Sequence, residues 1–101
     1  MMVSQKPLLI LGYNRPEKTI QLINQLRTLE PKSILFAVDG PKHSNPIDEI
    51  KVREVEKAVW AIDWKCSVET RFRVSNLGLR RAVVDSVDWA IDRFGCVTVI
   101  E

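Results

Sequence analysis

Residues 8–16 read Leu-Leu-Ile-Leu-Gly-Tyr-Asn-Arg-Pro, an apolar run that passes through a short polar turn into Pro16. Near-continuous apolar runs of this length are typical of strands covered on both faces, as in parallel sheets. Proline suits the first position of a helix, because its missing N–H would have no partner there. The stretch therefore predicts a buried strand followed directly by a helix.

The same alternation continues along the chain. Strand-like runs cover residues 8–13, 33–38, 68–74 and 96–100, and segments of helical period cover residues 17–29, 47–63 and 78–94. This β-α-β-α-β-α-β order predicts an α/β fold, an open parallel sheet of four strands with helices on both faces. The third run alternates polar and apolar residues, so we place it at an edge of the sheet.

Apolar spacing and end signals define the helices. The predicted inward stripes are Ile20, Ile23, Leu26 and Leu29; Val52, Val55, Val59 and Ile62; and Val83, Val87, Ala90 and Phe94. Asn45 is the expected cap of the second helix, ahead of Pro46, and Gly95 is the expected stop of the third. The three tryptophans, Trp60, Trp64 and Trp89, follow helical spacing, so we expect them to pack in the core or beneath a lid.

The bulk composition predicts one soluble domain over residues 1–101. The chain is 46% hydrophobic and 28% charged, with a net charge of +2. So small a charge gives no reason to expect nucleic acid or an anionic membrane as a partner. The apolar run near the N-terminus is too short for a transmembrane segment. Two isolated cysteines and a single histidine fit no usual zinc spacing and indicate reduced thiols in a cytoplasmic protein.

Polar and charged groups follow all four predicted strands. They are Tyr13, Asn14 and Arg15 after the first, Asp39 and Gly40 after the second, Asn76, Gly78, Arg80 and Arg81 after the third, and Glu101 after the fourth. In open α/β sheets, ligands bind beyond the carboxyl ends of the strands. The opposite ends, around Lys6, Lys32, Lys65 and Gly95, show no such convergence of residue types suited to binding or catalysis, so we place the candidate site at the carboxyl ends.

These residue types suit a nucleoside diphosphate. Helix N-termini at Pro16 and Gly78 offer unpaired N–H groups to phosphate oxygens. Arginine side chains neutralise a diphosphate and bind it through a planar fork. The carboxylate of Asp39 accepts hydrogen bonds from an imide N–H or a ribose hydroxyl. Glycines at positions 40 and 78 allow close approach of the backbone to a ligand.

Each residue also has a purely structural interpretation. Asn14 could cap the first helix, and Asp39-Gly40 is a common turn pair. The arginines could be solvated, with Arg80 and Arg81 pointing apart on a helix. His43 fits an exposed loop. The hypothesis of a binding site depends on the coincidence of these residues at one edge of the sheet.

With these residues in view, the chain resembles the N-terminal half of GT-A glycosyltransferases of the family 2 type. The resemblance is carried by residues 9–16, by Val38-Asp39-Gly40, by Asn76-Leu77-Gly78 and by the final run 96–101. It implies the strand order 3-2-1-4, with the nucleotide of a UDP-sugar across strands 1 and 4. The last run resembles the strand that leads into a DxD-like motif, which holds Mn²⁺ or Mg²⁺. Glu101 would lie at the edge of that metal site.

The same resemblance implies sugar transfer from a nucleotide-diphosphate donor to an acceptor hydroxyl. We expect the chain to be the first part of a longer enzyme and to be inactive alone. Under the implied strand order Cys66 and Cys96 lie near opposite edges, too far apart for a disulfide. The free edge of the fourth strand favours self-association.

Other classes of protein remain open at this stage. A non-enzymatic interaction or nucleotide-binding domain with a flavodoxin-like or Rossmann-like fold would share the alternation of strands and helices. A receiver domain would need clustered acids at its strand ends, and the first strand ends in Tyr13-Asn14-Arg15 instead. A dinucleotide-binding dehydrogenase would need a GxGxxG motif after that strand, which is absent from the sequence.

Overall fold

A computed structural model describes residues 6–100, which alternate between strands and helices as the sequence predicts. The elements are β1 (Leu8–Gly12), α1 (Pro16–Arg27), β2 (Ser33–Val38), α2 (Pro46–Lys57), a short 3₁₀ helix (Ala58–Ala61), β3 (Ser67–Phe72), α3 (Leu79–Phe94) and β4 (Thr98–Ile100).

The four strands form one parallel sheet in the order β3-β2-β1-β4. In the centre, Leu9 of β1 lies between Leu35 of β2 and Val99 of β4. Among the described residues, β3 pairs with β2 alone, so the alternating strand lies at an edge. The predicted strand order and the edge position of β3 are both confirmed.

Helices cover both faces of the sheet. Ile10 belongs to a buried cluster with Leu26 of α1 and Val52 of α2. Its neighbour in β1, Leu9, belongs to a second cluster with Ala90 of α3. Because successive side chains of a strand point to opposite faces, α1 and α2 cover one face and α3 covers the other. This confirms the predicted arrangement and explains why β1 and β2 are apolar throughout.

The predicted end signals of α2 and α3 are confirmed. The side chain of Asn45 accepts a 3.0 Å hydrogen bond from the N–H of Asp48, ahead of Pro46 in the first turn of α2. Gly95 ends α3 with a φ of +79° and donates its N–H to the carbonyl of Ile91. Positive φ is favourable for glycine because it lacks a Cβ atom.

Some predicted core positions are wrong. Residues 47–63 do not form one helix, because α2 ends at Lys57 and a 3₁₀ turn follows. On α1, Thr19 is buried in place of Ile20, and Leu29 is 71% exposed because the helix ends at Arg27.

The tryptophans also differ from one another. Trp60 lies on the 3₁₀ turn and is 83% exposed, so its predicted place in the core is wrong. Trp64 packs against the first cluster and donates its indole N–H to the carbonyl of Pro31 at 2.8 Å. Trp89 packs against the second cluster. A change of helix type after Lys57 turns Trp60 outward, which a regular helical spacing does not anticipate.

Both cysteines are free, as predicted. Cys66 precedes β3 and Cys96 precedes β4, and these strands form opposite edges of the sheet. Burial raises the pKa of the Cys66 thiol. Within residues 6–100, no helix combines the length and the apolar character needed to cross a bilayer.

Candidate functional site

Three segments meet at the carboxyl ends of β1, β2 and β3. We refer to residues 13–15, 39–45 and 73–78 together as the strand-end rim. The N–H of Asp39 donates to the carbonyl of Gly12 at 3.0 Å, and the N–H of Leu77 donates to the carboxylate of Asp39 at 2.9 Å. The predicted site residues Asn14, Asp39 and Asn76 therefore lie at the same end of the sheet.

Asp39 connects two segments of the strand-end rim. Its carboxylate is nearly buried, with the residue 7% exposed, and Oδ1 accepts hydrogen bonds from the N–H groups of Gly40 and Leu77, each at 2.9 Å. Oδ2 accepts a 3.2 Å bond from the amide Nδ2 of Asn76. Since Oδ1 has two donors already, only Oδ2 retains capacity for a ligand.

Gly40 lies directly against the segment that follows β3. A Cβ atom at this position would come within 2.5 Å of the carbonyl carbon of Ser75 and 2.7 Å of its nitrogen and oxygen. The carbonyl of Gly40 also accepts a 2.9 Å bond from Nδ2 of Asn76. The sequence predicted that this glycine allows a ligand to approach, whereas the structure shows that it allows another backbone to approach.

Asp48, in the first turn of α2, is a further residue of the site that the sequence patterns did not single out. Its carboxylate accepts hydrogen bonds from the Tyr13 hydroxyl at 2.5 Å, the Asn14 amide at 2.8 Å and the N–H of Lys42 at 2.7 Å. Burial alone would raise the pKa of Asp48, but these three donors hold it below its usual value. An Asn cap followed by an acid three positions later is the sequence signal for such a residue.

The polar turn after β1 is held by hydrogen bonds from Tyr13 and Asn14 to Asp48, and not by a side-chain cap of α1. Arg15, rather than Asn14, is the residue that caps α1, and its side chain makes no capping hydrogen bond. The alternative in which Asn14 caps α1 is therefore wrong, because its amide is directed to Asp48. Burial and the hydrogen bond to Asp48 raise the pKa of Tyr13 above its usual value.

Two helices begin at the strand-end rim without a side-chain cap. Neither α1 nor α3 has one, whereas α2 is capped by Asn45. Gly78 precedes α3 with a φ of +86°. The first N–H groups of an uncapped helix lack protein partners and carry the positive end of its dipole.

Exposed arginines lie beside both uncapped helix ends. Arg15 precedes α1, and Arg80 and Arg81 lie in the first turn of α3; all three are exposed. Within residues 6–100, none of these three side chains forms a hydrogen bond or an ion pair. Their charges are thus not neutralised by the described part of the protein, which leaves two cationic helix ends on the rim.

Arg73 supplies a further, partly buried cation that the sequence patterns did not single out. Its guanidinium is paired with Asp85 of α3 and lies close enough to Asp39 to interact with its charge. Burial and the neighbouring Arg71 lower the pKa of Arg73. In the sequence, Arg73 is the last charged residue of the alternating run, just before the polar turn that begins at Ser75. Arg73 partly offsets the negative charge of the buried Asp39.

Two clefts open beside α2. One of about 460 Å³ lies between residues 41–46 and residues 74–76, with Asn76, Lys42 and His43 in its walls. The other, of about 680 Å³, runs along α2 towards Trp60, Phe72 and Val74. The first cleft adjoins Asp39 through Asn76, on the β2–β3 side of the strand-end rim. The sequence-based expectation placed the nucleotide across β1 and β4 instead.

The described residues do not form a metal site by themselves. Within residues 6–100, no group of three or more His, Cys, Asp or Glu side chains is placed to bind a metal ion. The oxygens of Asp39 and Asp48 already accept hydrogen bonds from protein donors. Glu101, the predicted edge of the metal site, lies outside the described residues.

None of the family models, curated proteins or solved structures with which the chain was compared matches it. The chemistry that the strand-end rim supports is therefore inferred from its own geometry.

Proposed function

We propose that this chain forms the donor-nucleotide site of a GT-A-type glycosyltransferase and binds a nucleoside diphosphate, with UDP-sugar as the preferred donor class. The observation that carries the proposal is the pairing of two uncapped helix N-termini with exposed arginines on one rim of a parallel sheet. Unpaired N–H groups and arginine forks are the groups that bind phosphate oxygens in proteins.

The phosphates would lie towards Arg15 and towards Arg80 or Arg81. Each helix end offers N–H groups that carry a partial positive charge, and an arginine adds a full charge with two parallel donors. The third helix end at the rim is satisfied by Asn45, which makes it the poorer phosphate site. This difference between the helix ends predicts where the anionic part of the ligand lies.

The nucleoside would lie towards the polar wall formed by Tyr13, Asn14, Asp39 and Asn76. Oδ2 of Asp39 accepts one hydrogen bond at 3.2 Å and has room for another. Ribose hydroxyls and the imide of uracil carry donors that fit such oxygens.

The resemblance adds Mn²⁺ or Mg²⁺, held at Glu101 and further acids. Hard divalent cations need several oxygen ligands, and residues 6–100 do not supply that set. When bound, such an ion would stabilise the charge that develops on the leaving diphosphate. We therefore assign binding and orientation of the nucleotide to the described residues, and no step of sugar transfer to them.

Titration of the ¹⁵N-labelled chain with UDP, followed by heteronuclear NMR, tests the proposal. Millimolar UDP should shift the amide signals of residues 13–15, 39–40 and 76–81. Weak affinity is expected, because the described residues lack the metal ligands. Shifts confined to the cleft near Trp60, or no shifts with UDP, GDP, CDP or ADP, would contradict the proposal.

A matched pair of variants distinguishes specific phosphate binding from nonspecific attraction of the anion by positive charge. Arg80→Gln with Arg81→Gln should weaken UDP binding several-fold, because these residues lie at an uncapped helix end. Arg53→Gln removes an exposed arginine from α2 that pairs with Glu49. It should leave UDP binding unchanged. Equal losses in both variants would indicate nonspecific attraction of the anion.

A further inference from the structure

Asp48 determines which hydrogen-bonding groups Tyr13 and Asn14 offer to a ligand. An ionised carboxylate only accepts hydrogen bonds, so each group that faces it has to donate. The Tyr13 hydroxyl gives its proton to Oδ2 at 2.5 Å, and the Asn14 amide turns its NH₂ group to Oδ1 at 2.8 Å. Tyr13 therefore retains only the lone pairs of its oxygen, and Asn14 directs its acceptor Oδ1 away from Asp48 while keeping the second hydrogen of its amide.

The ionised state of Asp48 is stabilised by its surroundings. The residue is 6% exposed, and the N–H of Lys42 donates a third hydrogen bond to the same carboxylate at 2.7 Å. The carboxylate also lies in the first turn of α2, where the helix dipole favours negative charge. Its pKa is held below the usual value, so the charge persists throughout the neutral range.

The charge of Asp48 is not needed to cap α2, because the side chain of Asn45 already does so. Burial of a carboxylate among neutral donors costs free energy unless hydrogen bonds from the protein replace those that it loses from water. The Asp48 carboxylate lies between the turn after β1 and the loop after β2. From there it determines which hydrogen-bonding groups Tyr13 and Asn14 direct towards it.

On the basis of the proposed function, we infer that Asp48 is a positioning residue which makes Tyr13 and Asn14 a paired acceptor for a hydrogen-bond donor of the nucleoside, a ribose hydroxyl or the imide N–H. These two residues then select the nucleoside and leave the phosphates to the arginines. Asn76 follows the same pattern, because its NH₂ group is turned inward to Asp39 and Gly40. The nucleoside wall of the strand-end rim is thus rich in acceptors.

Ligand analogues that each lack one donor test this inference. The dissociation constants of the full chain for UDP, 2′-deoxy-UDP, 3′-deoxy-UDP and N3-methyl-UDP are measured by NMR titration. For at least one analogue, the wild type should bind about 5- to 10-fold more weakly than it binds UDP, the effect of one lost hydrogen bond. In Asp48→Asn, the N–H of Lys42 keeps the amide oxygen on the side of Tyr13, so the new NH₂ group faces Asn14. The Asn14 amide then turns its oxygen inward and offers NH₂ to the ligand, and that ratio should fall below about 2-fold.

Asn45→Ala is the matched control. It removes the cap of the same helix and lowers stability, but it leaves the carboxylate of Asp48 and both acceptors in place. Its ratio between UDP and the selected analogue should equal that of the wild type. A reduced ratio in Asn45→Ala would show that loss of stability explains the result, and would overturn the inference.

Two further variants apply if Asp48→Asn does not fold. Tyr13→Phe and Asn14→Ala each remove one acceptor and keep the other bond to Asp48, and at least one of them should reduce the ratio. An unchanged ratio in both, or equal binding of all four ligands by the wild type, overturns the inference while the proposed nucleotide site stands. Absence of UDP binding by the wild type overturns both together.

Discussion

Tyr13 and Asp48, 35 residues apart in the sequence, are joined by a 2.5 Å hydrogen bond from the phenol hydroxyl to Oδ2. Tyr13 follows the central strand β1, and Asp48 lies in the first turn of α2. The bond connects the turn after β1 with the loop after β2. Its loss would weaken the connection between two of the three segments that form the strand-end rim, so the contribution of this bond can be measured both in protein stability and in the titration of Tyr13.

Tyr13→Phe should destabilise the protein by about 1.5–3 kcal/mol at neutral pH, because it removes a hydrogen bond to a charged acceptor. The pKa of Tyr13 is raised in the folded state, whereas in the unfolded chain it is about 10. The contribution of Tyr13 is therefore complete below pH ~10 and falls as the pH rises towards the folded-state pKa. Urea denaturation of both proteins between pH 7 and 11 measures the difference.

Absorbance at ~295 nm provides the direct check, because Tyr13 is the single tyrosine of the chain. In the wild type the phenol should ionise above pH ~10 or together with unfolding. Ionisation at the usual pKa in a folded protein would contradict the burial and the bond to Asp48.

Gly40→Ala should destabilise the protein by about 2 kcal/mol or more, because the new methyl group would overlap backbone atoms that have no room to move. The nearest atom, the carbonyl carbon of Ser75, would be 2.5 Å away. Ser75→Ala is the control, since the three atoms nearest to a Cβ at Gly40 all belong to the backbone of Ser75, and its stability should stay within ~0.5 kcal/mol of wild type. Thermal unfolding of the three proteins compares them. A neutral Gly40→Ala would show that the segments after β2 and β3 are not in contact.

Replacement by alanine should affect stability very differently at Trp60 and at Trp64. Trp60→Ala should change stability by no more than ~0.5 kcal/mol, because the side chain is 83% exposed. Trp64→Ala should cost about 2 kcal/mol or more, because it removes packing against the core and the bond to the carbonyl of Pro31. Urea denaturation followed by circular dichroism tests both. A large loss in Trp60→Ala would mean that this side chain is buried, as the sequence alone had predicted.

Within residues 6–100, β4 pairs with β1 alone, and this edge position predicts self-association. Thr98, Val99 and Ile100 carry no charge, whereas the opposite edge strand β3 contains Glu69 and Arg71. Charged side chains on an edge strand oppose pairing with another chain. Val99 is 44% exposed, so Val99→Lys should shift the chain towards monomer without loss of core packing.

Sedimentation velocity over a range of concentrations measures this shift, and Thr70→Lys on β3 serves as the control that should leave the distribution unchanged. A wild type that stays monomeric at the highest concentration would contradict the prediction.

The order of elements, the edge position of β3, the start of α2 and the end of α3 could all be predicted from the chain alone. Each depends on a local pattern: a continuous or alternating apolar run, Asn45 before Pro46, and Gly95 after the last turn of α3. Such patterns act between neighbouring residues, and burial of the apolar side leaves few other ways to fold them.

The sequence also brought Asn14, Asp39 and Asn76 to one end of the sheet, because the carboxyl ends of parallel strands share an edge. It did not reveal that Asp48 holds Tyr13 and Asn14, or that Gly40 lies against the backbone of Ser75. Those contacts join residues about 35 apart, and only the pairing of β1 with β2 and of β2 with β3 decides which loops meet. The chain determined the sheet and the placement of its polar ends, while the tertiary structure decided which of those polar groups bind one another and which remain available to a ligand.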